Sequence, residues 1–133
     1  MPNLSRTDLD AFARKLQERR RMLVAEIRQQ MEEGDDEHSV MLRDRFDDLD
    51  PHDDRAIGDW VRDVGIAQAA RETRELDEVE AALRRVTDAS YGECIECGEA
   101  IPLARLEANP GAARCVPCQQ RLEERTGGVR TAL

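Results

Sequence analysis

The apolar residues in the first quarter of the chain repeat with the spacing of one helix face. The face is formed by Leu9, Phe12, Leu16, Leu23, Ile27 and Met31. Their steps of 3, 4, 7, 4 and 4 residues follow the 3.6-residue turn of a helix. Ser5 or Thr7 is placed to cap the start of this helix, and Gly34 suits its end. The pattern predicts a helix over residues 5–33.

A second apolar stripe predicts another long helix, from Ile57 to Ala89. The stripe is formed by Val61, Val64, Leu76, Val79, Leu83 and Val86. A helix of this extent is roughly 50 Å long. Two long helices, each with one narrow apolar stripe, predict an antiparallel coiled-coil hairpin.

The connection between these helices, residues 34–56, carries nine acids and three arginines, or −6 of the chain's net charge of −9. Apolar steps of 4 and 3 residues are compatible with a short helix at Leu42, Phe46 and Leu49. Pro51 ends any helix that reaches it. The alternative, in which the first helix continues to residue 48 as a kinked rod, is disfavoured because Gly34-Asp35-Asp36 is a poor helix interior.

Composition and charge narrow the class of protein. Aromatic residues are 3% and charged residues 37% of the 133 residues, which is typical of long helices. The acidic balance disfavours a general nucleic-acid binder. No stretch reaches the roughly 18 apolar residues needed to span a membrane, and the N-terminus lacks the apolar core of a signal peptide. We expect a cytoplasmic monomer with no membrane partner and no sequence-specific DNA partner.

All four cysteines lie in the last third of the chain. Cys94 and Cys97 form one C-x-x-C pair, and Cys115 and Cys118 form another after 17 intervening residues. Two such turns direct four thiolates to a tetrahedron, which is the arrangement of a structural zinc site with no open position. Disulfides are disfavoured in the cytosol, and redox pairs are disfavoured because neither pair follows a predicted strand. Spacing alone leaves an iron–sulfur cluster open. We expect one zinc ion per chain.

The residues around the cysteines resemble the zinc finger of the DksA/TraR family. The resemblance covers Tyr91–Pro102, Ala104–Pro110 and Cys115–Gln119. The expected fold is therefore mostly α-helical. Residues 1–89 form the hairpin, residues 90–126 form a small four-cysteine finger with a short C-terminal helix, and residues 127–133 form a tail.

The resemblance implies a regulator that binds bacterial RNA polymerase and is not an enzyme. Its finger end would hold the rim of the secondary channel, with the hairpin inside the channel. The family's tip motif is an Asp, two residues, a second Asp, one residue and an Ala. Asp54 and Ala56 match its end, while Pro51 stands at the first Asp, with Asp50 and Asp53 beside it as substitutes. The functional tip is therefore predicted at Asp50, Asp53, Asp54 and Ala56.

Some members of the family help to form a site for the alarmone ppGpp. The positions that would do so are Glu75, Glu78, Asn109 and Gln119 here. Acids and amides oppose a polyanion, so weak or absent ppGpp synergy is expected. The alternative interpretation of the whole chain is a zinc-stapled coiled-coil module for another protein partner. A nucleic-acid-binding zinc ribbon is disfavoured, because residues 90–133 carry six acids and five bases.

Overall fold

A computed structural model of the chain describes residues 4–31, 36–64 and 69–126. The described helices are α1 (Arg6–Met31), α2 (Glu37–Asp47), α3 (Asp54–Val64), α4 (Ala70–Thr87), α5 (Leu103–Ala108) and α6 (Val116–Arg125). Extended structure in these residues is limited to one bridge, between Glu93 and Ala100. The predicted mostly helical class is confirmed.

Helices α1 and α4 pack against each other as the predicted hairpin. Ser5 and Asp8 cap α1 reciprocally, since each side chain accepts a hydrogen bond from the other's backbone N–H at 3.1 Å. The two helices are antiparallel, because Arg19 binds Glu75 while Phe12, earlier in α1, stacks beside Tyr91, beyond the end of α4. The apolar face of α1 is buried at Phe12, Leu16, Leu23, Ile27 and Met31.

The single helix predicted over 57–89 is wrong: the segment contributes to two helices, and α3 folds back beside α4. Arg62 of α3 binds both Asp77 and Glu80 of α4. In one continuous helix, residues 62 and 80 would lie about 27 Å apart. The physical reason is that α3 has an apolar face of its own. Ile57 and Val61 on this face are 4% and 0% exposed, and they are buried by folding back rather than by extending the apolar stripe of α4.

The acidic connection contains the short helix that its apolar steps allowed, as α2. This helix turns back along α1, because Asp47 binds Arg28 through hydrogen bonds of 3.0 and 3.1 Å and Arg43 donates to the Met31 carbonyl at 2.7 Å. The kinked-rod alternative is excluded, since a continuous helix would place residues 28 and 47 about 28 Å apart. Gly34 lies outside the described residues. Residues 37–64 (α2, α3 and the turn between them) are called the arm below.

The finger joins the hairpin at the end of α4. The backbone reverses at Ala89, whose φ is 66°, and the N–H groups of Ser90 and Tyr91 both donate to the Arg85 carbonyl. Tyr91 is 1% exposed, its ring lies 5.6 Å from that of Phe12, and its hydroxyl donates to the Pro110 carbonyl at 2.7 Å. Burial raises the pKa of this phenol to about 12. One buried side chain thus connects the hairpin to the start of the finger and to the segment before its second cysteine pair.

Candidate metal centre and acidic turn

The structure brings all four cysteines together. Their Sγ atoms lie within 4.8 Å of one another, and those of Cys97 and Cys115 are 3.8 Å apart. Zinc bound to four thiolates at about 2.3 Å sets the sulfur atoms about 3.8 Å apart in a tetrahedron. Cys94 and Cys118 are buried, Cys115 is half-buried and Cys97 is exposed. The spacing therefore fits one zinc ion at the surface of the finger.

The first pair is held by a tight backbone turn. The Cys94 N–H donates to the Glu99 carbonyl at 2.8 Å, and the Gly98 N–H donates to the Cys94 carbonyl at 3.0 Å. Gly98 has a φ of 78°, which an L side chain rarely adopts. A hydrogen bond of 2.9 Å from the Ile95 N–H to the Ala113 carbonyl connects this turn to the segment leading to the second pair.

The second pair opens helix α6. Cys115 occupies the N-cap position, with a φ of −69° and a ψ of 166°, and Cys118 follows in the first turn. The positive end of the helix dipole there favours thiolates. The Arg121 guanidinium adds a positive charge, donating to the Cys118 Sγ at 2.9 Å. Helix α5 was not predicted; its Arg105 donates to the Arg114 carbonyl at 2.9 Å, next to Cys115.

The electrostatics of the four thiols explain why they need a metal. Burial and the neighbouring thiols raise the pKa of Cys118 to about 12. Burial also acts against ionisation of Cys94, but backbone hydrogen bonds outweigh it and lower the pKa of that thiol to about 6. Four thiolates this close repel one another, and a divalent cation removes that repulsion. All four ligand positions are filled by protein, so the site stabilises the finger and leaves no position for a reacting molecule.

The four residues predicted as the tip lie in or beside the turn between α2 and α3. Residues 48–56 are called the acidic turn below. The Asp50 Oδ1 accepts a hydrogen bond from the His52 N–H at 2.9 Å, and the Asp53 Oδ1 caps α3 by accepting from the Ala56 N–H at 3.0 Å. Both aspartates are exposed and Ala56 is half-buried. Asp54 begins α3, and its side chain lies outside the described part of the structure.

The acidic turn lies beside the hairpin rather than beyond its end. Arg55, in the first turn of α3, lines a cavity of about 280 Å³ together with Leu83 and Thr87 from the last turns of α4. The far end of the hairpin, opposite the finger, is formed by Met31 and Ala70. The folded-back arm therefore keeps the predicted tip residues alongside the hairpin.

Sequence reasoning missed the residues that dock the arm. Glu80 is 6% exposed and binds Arg62, which also binds Asp77 at 3.1 Å and Asp59 of its own helix. Burial raises the pKa of the Glu80 carboxyl, and Arg62 partly offsets this. A Cβ added at Gly58 would lie 2.9 Å from the Glu80 carboxylate carbon. The sequence contains two signals of this contact. Gly58 stands within a predicted helix, and the acidic Glu80 follows Leu76 by four residues on the apolar face.

A second charged contact joins α1 to α4 directly. The Arg19 guanidinium donates two hydrogen bonds to the Glu75 carboxylate, at 2.6 and 2.7 Å. These bonds lower the pKa of Glu75 despite partial burial. Both residues line a cavity of about 260 Å³ with Glu78 and Asn109, so three of the four positions matched to the alarmone site lie together.

No helix in the described part of the chain is long and apolar enough to cross a membrane.

Comparison with known proteins finds relatives of the finger and, over a longer stretch, of the hairpin together with the finger. Residues 89–124 match the family described as prokaryotic dksA/traR C4-type zinc finger. The RNA polymerase-binding transcription factor DksA of Caulobacter vibrioides is 44% identical over 72 residues, which are 54% of this chain but only 51% of that protein. The chain thus spans about half the length of this curated relative.

Two further comparisons extend to the hairpin. The RNA polymerase-binding transcription factor DksA of Escherichia coli K12 is 30% identical over 106 residues, covering 80% of this chain and 70% of that protein. The solved structure of transcription factor DksA2 from Pseudomonas aeruginosa has a TM-score of 0.63 at 30% identity, covering 93% of this chain and 89% of that one. The four cysteines form a zinc-binding cluster for one ion per chain, and the chain belongs to the DksA/TraR family of C4-type zinc-finger proteins.

Proposed function

We propose that this chain is a cytoplasmic transcription regulator that binds bacterial RNA polymerase and acts by binding rather than by catalysis. The observation that carries the proposal is similarity across both the hairpin and the finger to a factor named for polymerase binding and to a solved transcription factor. The four-cysteine cluster supports a structural finger, since its ligands Cys94, Cys97, Cys115 and Cys118 leave zinc no open position.

The proposed binding site is the secondary channel of the polymerase, with the finger end at its rim and the hairpin inside. The dimensions support this arrangement. Helix α1 has 26 residues and is therefore about 39 Å long, and it pairs with α4 into an elongated body with α2 and α3 packed alongside. The finger lies at one end of this body, where Tyr91 joins the two. The protein is proposed to act as a monomer.

The acidic turn is proposed to modulate initiation. Its exposed Asp50 and Asp53 each use Oδ1 for a local backbone bond, which holds the carboxylates in fixed positions. Asp54 and Ala56 complete the set that matches the family's tip. Carboxylates at such a place would pair with basic groups or magnesium near the catalytic centre of the polymerase.

Synergy with ppGpp is proposed to be weak or absent. Glu75, Glu78 and Asn109 line one cavity, and Glu78, Asn109 and Gln119 line a second cavity of about 540 Å³ between α4 and the finger. Bases also line these cavities, Lys15 and Arg19 in the first and Arg85, Arg105 and Arg114 in the second. The proposal therefore depends on the matched positions themselves, where Glu78, Asn109 and Gln119 offer a polyphosphate no cation. Adding ppGpp should leave the chain's effect on transcription unchanged.

Retention of purified RNA polymerase core enzyme on the immobilised, zinc-loaded chain tests the proposal. The expected result is saturable binding. The Cys97→Ser variant is the matched control, because it replaces a single sulfur atom with oxygen and so removes one zinc ligand with little change in side-chain size, and it should retain little polymerase. Absence of binding by the unmodified chain would overturn the proposed function and favour a coiled-coil module for another partner.

A further inference from the structure

Two arginines of helix α6 lie beside the zinc-binding cluster. Arg121 and Arg125 are one turn apart, and both line a cavity of about 160 Å³ that also includes Cys97, Cys118 and Glu96. Cys97 belongs to the first cysteine pair and Cys118 to the second, so the cavity lies where the two pairs meet. Positive charges are thereby placed next to two of the four metal ligands.

One of these arginines is in direct contact with a ligand. Arg121 Nη2 donates to the Cys118 Sγ at 2.9 Å. The two residues are three positions apart on α6, a spacing that puts side chains on the same helix face. Glu96, the acid that shares the cavity, accepts a hydrogen bond from Arg114 at 3.3 Å. Arg121 therefore donates to the sulfur, while the neighbouring acid is paired with a different arginine.

The loaded cluster needs such a positive charge. Four thiolates and one Zn²⁺ together leave two negative charges. The first cysteine turn adds the acids Glu93, Glu96 and Glu99 to this charge. A guanidinium in contact with a sulfur offsets part of the charge, and its hydrogen bond fixes the position of the thiolate.

We propose that Arg121 is a positioning residue of the zinc site: its guanidinium holds the Cys118 thiolate and offsets the charge of the loaded cluster, so that zinc binds more tightly. Groups that hold metal ligands from outside typically change metal affinity by roughly 10- to 100-fold. Arg121 is exposed and water screens its charge, so we expect an effect at the lower end of this range. The inference concerns metal binding and does not depend on the polymerase.

Titration of the full chain in zinc buffers tests the proposal by measuring the free zinc concentration at half occupancy. Arg121→Gln removes the charge, and glutamine forms a helix about as readily as arginine does. This variant should need roughly ten times more free zinc than the unmodified chain. Arg121→Lys keeps a positive charge near the sulfur and should recover part of the loss. High salt should reduce the difference between the unmodified chain and Arg121→Gln, because the charge is exposed.

The matched control is Arg125→Gln. It makes the same change of charge on the same helix and in the same cavity, but one turn further from Cys118. Because a single exposed charge has a small effect, it should change the free zinc at half occupancy by no more than about two-fold. Helicity by circular dichroism should be the same in all zinc-loaded proteins. Equal shifts in the two glutamine variants, or no shift in Arg121→Gln, would overturn the proposal.

Cobalt in place of zinc gives a second measurement, at the sulfur itself. A positively charged donor lowers the energy of the sulfur electrons, and these electrons move to the metal in the sulfur-to-cobalt charge-transfer band. Arg121→Gln should therefore shift this band to longer wavelength, and Arg125→Gln should leave it unchanged. A role of Arg121 in helix stability alone would not move the band. An unchanged band in Arg121→Gln would show that the guanidinium does not act on the ligand, and it would overturn the proposal.

Discussion

The finger and the arm are both attached to the α1–α4 hairpin, but by different kinds of contact. The finger is attached through Tyr91, which is buried, stacks on Phe12 and donates a hydrogen bond to Pro110. Its own chain is closed by a four-cysteine zinc cluster. The arm is attached through the buried Ile57 and Val61 and through the buried carboxylate of Glu80, whose partner, Arg62, remains partly exposed to water.

This difference separates a part of the molecule that a metal closes from a part that packing and an ion pair hold in place. Metal binding closes the finger with a free energy far larger than that of an ion pair. The contact between Glu80 and Arg62 contributes far less, because both groups lose water on pairing. A substitution at this ion pair should therefore weaken the attachment of the arm, whereas opening the finger requires loss of the metal.

Loss of one zinc ligand should have the largest effect. Cys97→Ser removes one of four thiolates, and structural zinc contributes about 10–16 kcal/mol to folding of small zinc domains. The finger should unfold while α1 and α4 keep most of their helicity, since their buried face does not include the cluster. Zinc analysis should find about one ion per chain before the change and little after it. A finger that stays folded without zinc would contradict the structural role of the metal.

Loss of the Tyr91 hydroxyl should reduce the stability of the protein by an intermediate amount, because it weakens the contact between the finger and the hairpin. Tyr91→Phe keeps the ring beside Phe12 but leaves the Pro110 carbonyl without its donor, at a cost of about 1 kcal/mol. The urea midpoint should fall without a change in zinc content. Tyr91→Leu, which also removes the ring contact, is the comparison variant and should destabilise the protein further. Equal midpoints for all three proteins would show that the finger is attached by other residues.

The finger was predictable from sequence because its geometry is local. Two C-x-x-C pairs, and Gly98 where a positive φ is needed, define the turn and its ligands within about two dozen residues. Helix α1 was similarly predictable from its apolar spacing. Helix α5 was missed because six residues give too short a pattern to identify.

The fold-back of α3 depends on a contact between residues 18 positions apart, which periodicity does not report. Val61 and Val64 follow helical spacing whether or not α3 continues into α4. Glu80 follows Leu76 of the predicted stripe by four residues, and its burial required a cation from another helix. Arg62 is that cation, but the chain carries 20 lysines and arginines, and the sequence alone does not identify which one pairs.

The effects of pH on stability should be smaller than those of the two substitutions above. The contributions of Glu80 and Glu75 should change with pH in opposite directions. Burial raises the folded-state pKa of Glu80 above its ordinary value of 4.5, so this group's contribution to stability falls as pH rises from 4.5 through the raised pKa. The hydrogen bonds from Arg19 lower the pKa of Glu75, so its contribution is complete above 4.5 and is lost as pH falls through the lowered pKa.

Urea midpoints of Glu80→Gln and Glu75→Gln, each compared with the unmodified chain at the same pH, measure these contributions. Comparison at equal pH cancels effects common to all three proteins, including protonation of the cysteines. The midpoint of Glu80→Gln should rise relative to the unmodified chain above pH 4.5, and that of Glu75→Gln should rise relative to it as pH falls below 4.5. The same sign for both variants would contradict the different environments of these carboxylates.

The central claim is that binding to polymerase and action on transcription reside in different parts of the chain. Competition binding to core polymerase, run beside single-round transcription from a sensitive promoter, tests it with Asp54→Asn and Ala56→Thr. The account predicts affinities within a few-fold of the unmodified chain, since a single ion pair in contact with water contributes about 0–1 kcal/mol. It also predicts a clearly weaker effect on transcription at saturating protein. Unchanged transcription with both variants would contradict the account and leave the acidic turn as a solvated connection.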